Sequence, residues 1–230
     1  MTYVIAEAGI NHCGSLDRAL KMIEVAADAG ANAVKFQSFT ATELGYDAKL
    51  TAFLKGVELS EEDHLKLMVR ADACNIDFIS TPFDRKWCDW LVDNGVQQIK
   101  ISSGKVKDVG FCQHVQGKGL PVIISNGMCT STELAAVATP FTIILYCVSE
   151  YPTQPWRIDF RKMLWLGATY HQYGFSDHTA GIEASIYAAA MGAKVIEAHF
   201  TLDRLLPGPD QVCSKEPNEL KAMIKGIRNV

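Results

Sequence analysis

Short apolar, β-rich runs recur along the chain at residues 3–8, 33–39, 77–83, 97–102, 121–125, 142–148, 170–175 and 194–200. Between and after them lie stretches whose apolar residues return every three or four positions, at 16–29, 61–75, 85–94, 109–117, 132–139, 158–166, 181–191 and 217–228. The first pattern predicts buried strands and the second predicts helices packed on one face. Ser15, Ser60 and Asp84 stand where helix N-caps belong, and Gly30, Gly95 and Gly192 stand where helices end. Strand-helix alternation demands a parallel sheet, because each helix carries the chain back to the edge where the last strand began. Eight such units in 230 residues predict an α/β fold, a closed (β/α)8 TIM barrel forming a single compact domain over residues 1–230. A doubly wound open sheet is the alternative arrangement, but no Gly-rich dinucleotide fingerprint follows the first strand. Residues 40–56 interrupt the alternation and predict an extended loop on the active-site face, whereas the brief helix at 132–139 predicts a thin outer layer.

With 48% apolar residues, the chain has enough material for one sizeable core. A net charge of −4 and the lack of any Lys/Arg run argue against nucleic acid as a partner. No leader-like segment and no apolar run of about 18 residues is present, so no membrane association is expected and the expected location is cytoplasmic. The seven cysteines are scattered without a C-x-x-C pair, which predicts reduced thiols rather than disulfides or a structural zinc site. Cys147 and Cys213 fall near polar strand ends, but nothing marks either as a nucleophile.

Residues two apart on a barrel strand face the same way, and this rule gathers polar groups at the C-terminal strand ends. They are Glu7; Lys35 and Gln37; Ser80 and Thr81; Lys100, Ser102 and Ser103; Ser125 and Asn126; Ser149 and Tyr151; Ser176 and His178; Glu197 and His199. A buried polar group without a partner costs on the order of 1–3 kcal/mol, so this concentration marks a site. Two lysines among hydroxyls suit a small dianion such as a phosphate ester. Two histidines with carboxylates nearby suit a divalent metal that polarises a carbonyl or activates water. The combination points to joining a phosphorylated compound to an aldehyde. His12, His64, His114 and His171 read as satisfied core histidines. A Ser-Asp-His triad at Ser176-Asp177-His178 is excluded because adjacent strand residues point to opposite faces.

Five motifs, in order along the chain, resemble the N-acetylneuraminate (sialic acid) synthase family: Ile5-Ala6-Glu7-Ala8-Gly9-Ile10-Asn11-His12, Val34-Lys35-Phe36-Gln37, Ser80-Thr81-Pro82-Phe83-Asp84, Ser176-Asp177-His178-Thr179, and His199-Phe200-Thr201-Leu202-Asp203-Arg204 through Pro207-Gly208-Pro209-Asp210. The resemblance implies a transferase condensing phosphoenolpyruvate with the open-chain aldehyde of an N-acetylated amino sugar, resembling N-acetylmannosamine, to give a nonulosonic acid and phosphate. It implies a divalent ion, Mn²⁺ or Mg²⁺, on His178 and His199. It further implies phosphoenolpyruvate contacts from Lys35, Gln37, Thr81, Lys100, Ser103, Ser125, Ser149 and Ser176, proton transfer by Glu7 and Asp210, and sugar contacts from Tyr151 and Lys105. Where the family has an acidic residue after the Ser-Gly of the fourth strand, this chain has Lys105. That reversal keeps an acidic or phosphorylated sugar open as acceptor. The sequence ends at Val230, after the eighth predicted helix, so the family's small C-terminal antifreeze-like domain is not expected here. A homodimer, or a weakly active barrel that binds ligand and needs a separate cap subunit, is therefore also consistent with the sequence.

Overall fold

In the computed structural model, which describes residues 1–230, the eight apolar runs become β1 (Tyr3–Gly9), β2 (Ala33–Ser38), β3 (Asp77–Pro82), β4 (Ile99–Ile101), β5 (Val122–Ser125), β6 (Thr142–Cys147), β7 (Tyr173–Asp177) and β8 (Val195–His199). Each pairs in parallel with the next and β8 closes onto β1, leaving no sheet edge exposed. The helices are α1 (Leu16–Asp28), α2 (Ala48–Lys55), α3 (Glu61–Ala73), α4 (Arg85–Asp93), α5 (Val109–Gln116), α6 (Ser131–Ala135), α7 (Phe160–Tyr170), α8 (Glu183–Ala190) and α9 (Pro217–Arg228). The side chains of Ser15, Ser60 and Asp84 accept from the backbone N–H three residues on, as capping requires. Gly30, Gly95 and Gly192 take positive φ at helix ends, a conformation that favours glycine. None of the helices is long and apolar enough to cross a membrane.

Strand alternation divides the apolar residues into two cores. Outward-facing Val4, Ala6, Val34, Phe36, Ile99, Ile124, Ile144, Phe175 and Ile196 pack beneath the helices. Inside the barrel, Ile5, Ala33, Ile79, Ile123, Leu145 and Val195 form a separate apolar layer. The next inward positions toward the C-terminal strand ends are Glu7, Lys35, Thr81, Ser125, Cys147, Ser176 and Glu197, so the apolar layer is the floor of a polar chamber. Gly174 belongs to this inner layer: a Cβ there would lie 2.1 Å from the Val195 carbonyl oxygen and 2.7 Å from Leu145 Cδ2. Its bare Cα makes room for the Leu145 side chain.

Three sequence expectations change. Residues 40–56 are not an extended loop throughout, since they contain a 3-10 turn at Ala41–Glu43 and the helix α2. Asp47 caps α2 by accepting from the Leu50 N–H, yet α2 buries no residue, so it leaves no apolar stripe to read. The seventh strand begins at Tyr173 rather than at residue 170, because α7 continues to Tyr170 and His171 turns the chain with φ +65°. The sixth helix is shorter than residues 132–139, comprising Ser131–Ala135 behind a Thr130/Glu133 capping box.

Gly174→Ala is expected to lower the free energy of unfolding by at least about 2 kcal/mol, through overpacking against backbone that cannot yield. Urea unfolding followed by circular dichroism measures it, and an unchanged midpoint would refute the packing account.

Candidate active site

The inward polar residues enclose a cavity of about 210 Å³ at the C-terminal end of the barrel. Of the residues predicted from sequence, Glu7, Lys35, Gln37, Thr81, Lys100, Ser103, Ser125, Tyr151, Ser176, His178, His199 and Asp210 line it. Ser149 and Lys105 do not. Ser149 is exposed beyond β6, and the Lys105 ammonium lies over the Phe111 ring, 5.6 Å from its centroid. Lys105 is thus directed to the start of α5 rather than into the cavity. Glu197, to which the sequence reading gave no role, also lines the cavity, as do Ser102, Cys147 and Phe83. Strand parity had already turned Glu197 inward with His199; what the sequence did not show was its partners, Lys35 and Lys100, which lie on other strands.

Two carboxylates and two ammonium groups interlock on the chamber floor. Lys35 Nζ lies 3.0 Å from Glu7 Oε2 and 3.6 Å from Glu197 Oε2, and it donates to Thr81 Oγ1 at 3.0 Å. Lys100 Nζ lies 3.4 Å from Glu197 Oε1, which also accepts from Ser176 Oγ at 3.0 Å. Burial opposes every one of these charges, and the pairing decides which survive. For Glu197, Lys100 and Lys35 together outweigh burial and draw the pKa down to about 2. Glu7 has only a share of Lys35. Burial pushes Glu7 up, Lys35 pulls it back, the negative charge of Glu197 pushes it up again, and the pKa settles at about 7. Burial also draws Lys100 below the usual lysine range, whereas Glu197 and Glu7 overcome burial at Lys35 and raise it. With Glu7 protonated, the floor carries a surplus of positive charge, suited to an anion. Ser125 Oγ is buried among these groups without a hydrogen-bond partner and is free to serve one.

The two histidines stand above this floor with ring centroids 5.5 Å apart. His178 Nδ1 lies 2.7 Å from the Val148 carbonyl oxygen, which only a ring N–H can satisfy, so Nε2 keeps its lone pair. Nε2 accepts from the Tyr151 hydroxyl at 3.2 Å, and the Tyr151 ring stacks on His178 with centroids 4.2 Å apart. His199 Nδ1 is buried without a hydrogen bond and lies 3.8 Å from Asp210 Oδ2. Burial lowers the pKa of His178, and burial together with the neighbouring His178 holds His199 well below the ordinary histidine value. Both rings are therefore neutral near pH 7. Burial pushes Asp210 up to about 6, partly offset by Lys35. An orphaned imidazole nitrogen, an oriented imidazole and a carboxylate form a mixed nitrogen and oxygen donor set that fits a divalent first-row ion.

The other histidines divide. His12 and His64 are buried and bonded, His12 Nδ1 accepting from the Gly14 N–H and His64 pairing with Ser38 and Ser60. His171 is exposed, and His114 sits on the helical surface 2.6 Å from Asp89, so the core reading fails for these two. Cys88, Asp89 and His114 bring donor atoms within 4.8 Å of one another, but Lys118 Nζ lies 2.6 Å from the Asp89 carboxylate and already supplies a cation there. A larger apolar groove of about 630 Å³, which includes Pro155, Ile158, Phe160 and Tyr187, lies on the helical side and holds none of the converging charged groups.

Because the pKa of Glu7 is raised, its contribution to stability is fully present below its unfolded pKa near 4.5 and is lost as pH rises through about 7. Between pH 5.5 and 8, the wild type is expected to lose on the order of 2 kcal/mol relative to Glu7→Gln, at about 1.4 kcal/mol per pKa unit. Parallel urea titrations at both pH values would expose a flat difference, which contradicts the assignment.

A family model described as the NeuB family matches residues 22–230. The N,N'-diacetyllegionaminic acid synthase of Legionella pneumophila is 39% identical over 254 aligned positions, covering 99% of this chain and 71% of the relative. That alignment is longer than the chain, so the relative carries insertions that this barrel lacks. Human N-acetylneuraminate-9-phosphate synthase is 31% identical, with 99% of this chain and 70% of the relative covered. Among solved structures, the N-acetylneuraminic acid (sialic acid) synthetase of Leptospira borgpetersenii, in complex with citrate, superposes with a TM-score of 0.96 at 36% identity, over 99% of this chain and 83% of the other.

Proposed function

The chain belongs to the NeuB family, and we propose that it condenses phosphoenolpyruvate with the aldehyde of an N-acetylated amino sugar, releasing phosphate and forming a nonulosonic acid. The observation that carries this reading is the juxtaposition of a cationic, hydroxyl-lined floor with a pair of neutral histidines and a carboxylate in one cavity. A cavity of about 210 Å³ is smaller than the ~300 Å³ at which drug-sized ligands begin to be held. It suits a compact anion at the floor, with the sugar meeting it from the mouth.

In this reading, Lys35 and Lys100 neutralise the phosphate and carboxylate of phosphoenolpyruvate, while Ser125, Thr81, Ser103 and Ser176 provide directional contacts. Gln37 donates to Glu7 at 3.4 Å and steadies its carboxyl beside the anion. A divalent ion held by His178 and His199, with Asp210 beside them, would polarise the aldehyde oxygen. C3 of phosphoenolpyruvate attacks the aldehyde carbon, the aldehyde oxygen gains a proton, water adds at C2, and phosphate departs to leave the keto acid. Glu7 and Asp210, with pKa values of about 7 and 6, can each hold or release a proton at working pH. Tyr151, stacked on His178 at the mouth, bounds the sugar side. The fold accommodates many chemistries, so the reading rests on these residues rather than on the barrel.

Phosphate release with phosphoenolpyruvate, Mn²⁺ and a panel of N-acetylated, acidic and phosphorylated sugars tests the proposal. Turnover with an N-acetylated amino sugar is expected, and no phosphate from any acceptor would overturn it. His199→Ala is expected to reduce kcat at least about a hundredfold, as loss of electrophilic stabilisation does. Lys35→Met should raise the Kd for phosphoenolpyruvate at least about tenfold while leaving Mn²⁺ binding within about twofold, since charge-assisted anion contacts are among the stronger polar interactions. Calorimetry separates the two effects.

A further inference from the structure

Behind the cavity, outside its lining, lies a second buried ion pair that the proposed reaction does not use. Lys215 and Asp177 are both 0% exposed, and Lys215 Nζ lies 3.6 Å from Asp177 Oδ2. The same ammonium donates to the Thr179 carbonyl oxygen at 2.6 Å. Asp177 accepts from the Thr179 N–H at 2.8 Å and from Ser185 Oγ at 2.5 Å. Asp177 and Thr179 are the residues on either side of His178, so the Lys215 side chain grips both flanks of that histidine. The Lys215 backbone grips the other one: its N–H donates to the His199 carbonyl oxygen at 2.9 Å, and its own carbonyl accepts from the Thr201 N–H at 3.0 Å. Those bonds make Phe200 and Lys215 a parallel bridge that extends β8. Lys215 also terminates the segment carrying Asp210, whose carbonyl accepts from Ser214 Oγ at 2.6 Å.

We infer that Lys215 and Asp177 are positioning residues that set the separation and orientation of His178, His199 and Asp210, and so tune the affinity of the metal site without touching metal or substrate. This inference rests on the metal-binding reading above. A fully buried ion pair contributes little net stability compared with apolar residues of the same size, so what it adds here is geometry. Partners that orient metal ligands from behind typically change affinity by 10–100-fold when removed. The pair reaches only the histidine side of the chamber. Lys35 and Lys100, on the anion side, make no contact with it.

The test uses Lys215→Met, which keeps the length of the side chain, and Asp177→Asn, which keeps an oxygen for the Thr179 N–H. Calorimetry with Mn²⁺ alone is expected to show at least tenfold weaker binding in each variant, whereas phosphoenolpyruvate alone binds within twofold of wild type. Should Lys215→Met fail to fold, Asp177→Asn carries the test, with Ser185→Ala expected to show a smaller weakening in the same direction. Variants that melt at lower temperature but bind Mn²⁺ as tightly as wild type would show a purely structural pair and overturn the inference. Equal weakening of Mn²⁺ and phosphoenolpyruvate would overturn it too, since the effect would not be confined to the histidine side. Wild-type protein that binds phosphoenolpyruvate but no Mn²⁺ would instead strike the metal reading itself, and this inference with it.

Discussion

Two ammonium groups and two carboxylates share the inside of a closed barrel, and much of the structure is arranged to make that tolerable. None of Glu7, Lys35, Lys100 and Glu197 is more than 4% exposed. Each of these charges is expensive to bury alone. They survive because alternation along the parallel strands turns all four into the closed barrel, where the ion pairs form between strands rather than along one strand. The apolar layer of Ile5, Ile79, Ile123, Leu145 and Val195 beneath them closes the chamber from below. The result is a low-dielectric pocket whose charges are fixed before any substrate arrives, which is the condition for strong electrostatic stabilisation.

Unequal sharing is what gives this network chemistry. Glu197 is held by two lysines and stays ionised, while Glu7 holds one lysine that is already committed elsewhere. Two carboxylates in nearly the same place therefore take opposite roles, one a permanent anion and one a group that exchanges protons near neutrality. The histidines depend on a different support. They stand at the ends of β7 and β8, and their rings are set by the Val148 carbonyl, the Tyr151 stack and the Lys215–Asp177 pair behind them. The segment that brings Asp210 inward is tied to the first strand end through Asn11, whose amide donates to the Phe200 carbonyl and to Ser214 Oγ. Strands set the anion side and buried loop contacts set the histidine side.

The outer architecture of this barrel is spare, as seen in the five-residue α6 and in an α2 that buries nothing. Trimming of this kind falls on connections rather than on strands, because a residue lost from a strand would reverse the inward and outward faces of everything after it. Lys105 lies in such a connection, after β4, and its charge rests on Phe111, away from the groups that line the cavity.

By itself the sequence determined the barrel and the order of its units, and it named twelve of the residues lining the chamber: strand periodicity is local and turned those on strands inward without reference to any other strand, whereas Asp210, on no strand, was named from its motif. Ser149 and Lys105 were misplaced because both lie past the ends of strands, where parity no longer applies and a turn decides direction. The extra helix α2 and the last turn of α7, which delays the start of β7, were hidden for a related reason, as neither buries a residue. What only the tertiary structure decided is which charges meet. That Glu197 bridges two lysines, that Glu7 is left with a share of one, and that Lys215 reaches around both histidines are facts of register between strands far apart in the chain. Coulomb energies depend on distances of a few ångströms, and those distances exist only once the barrel has closed.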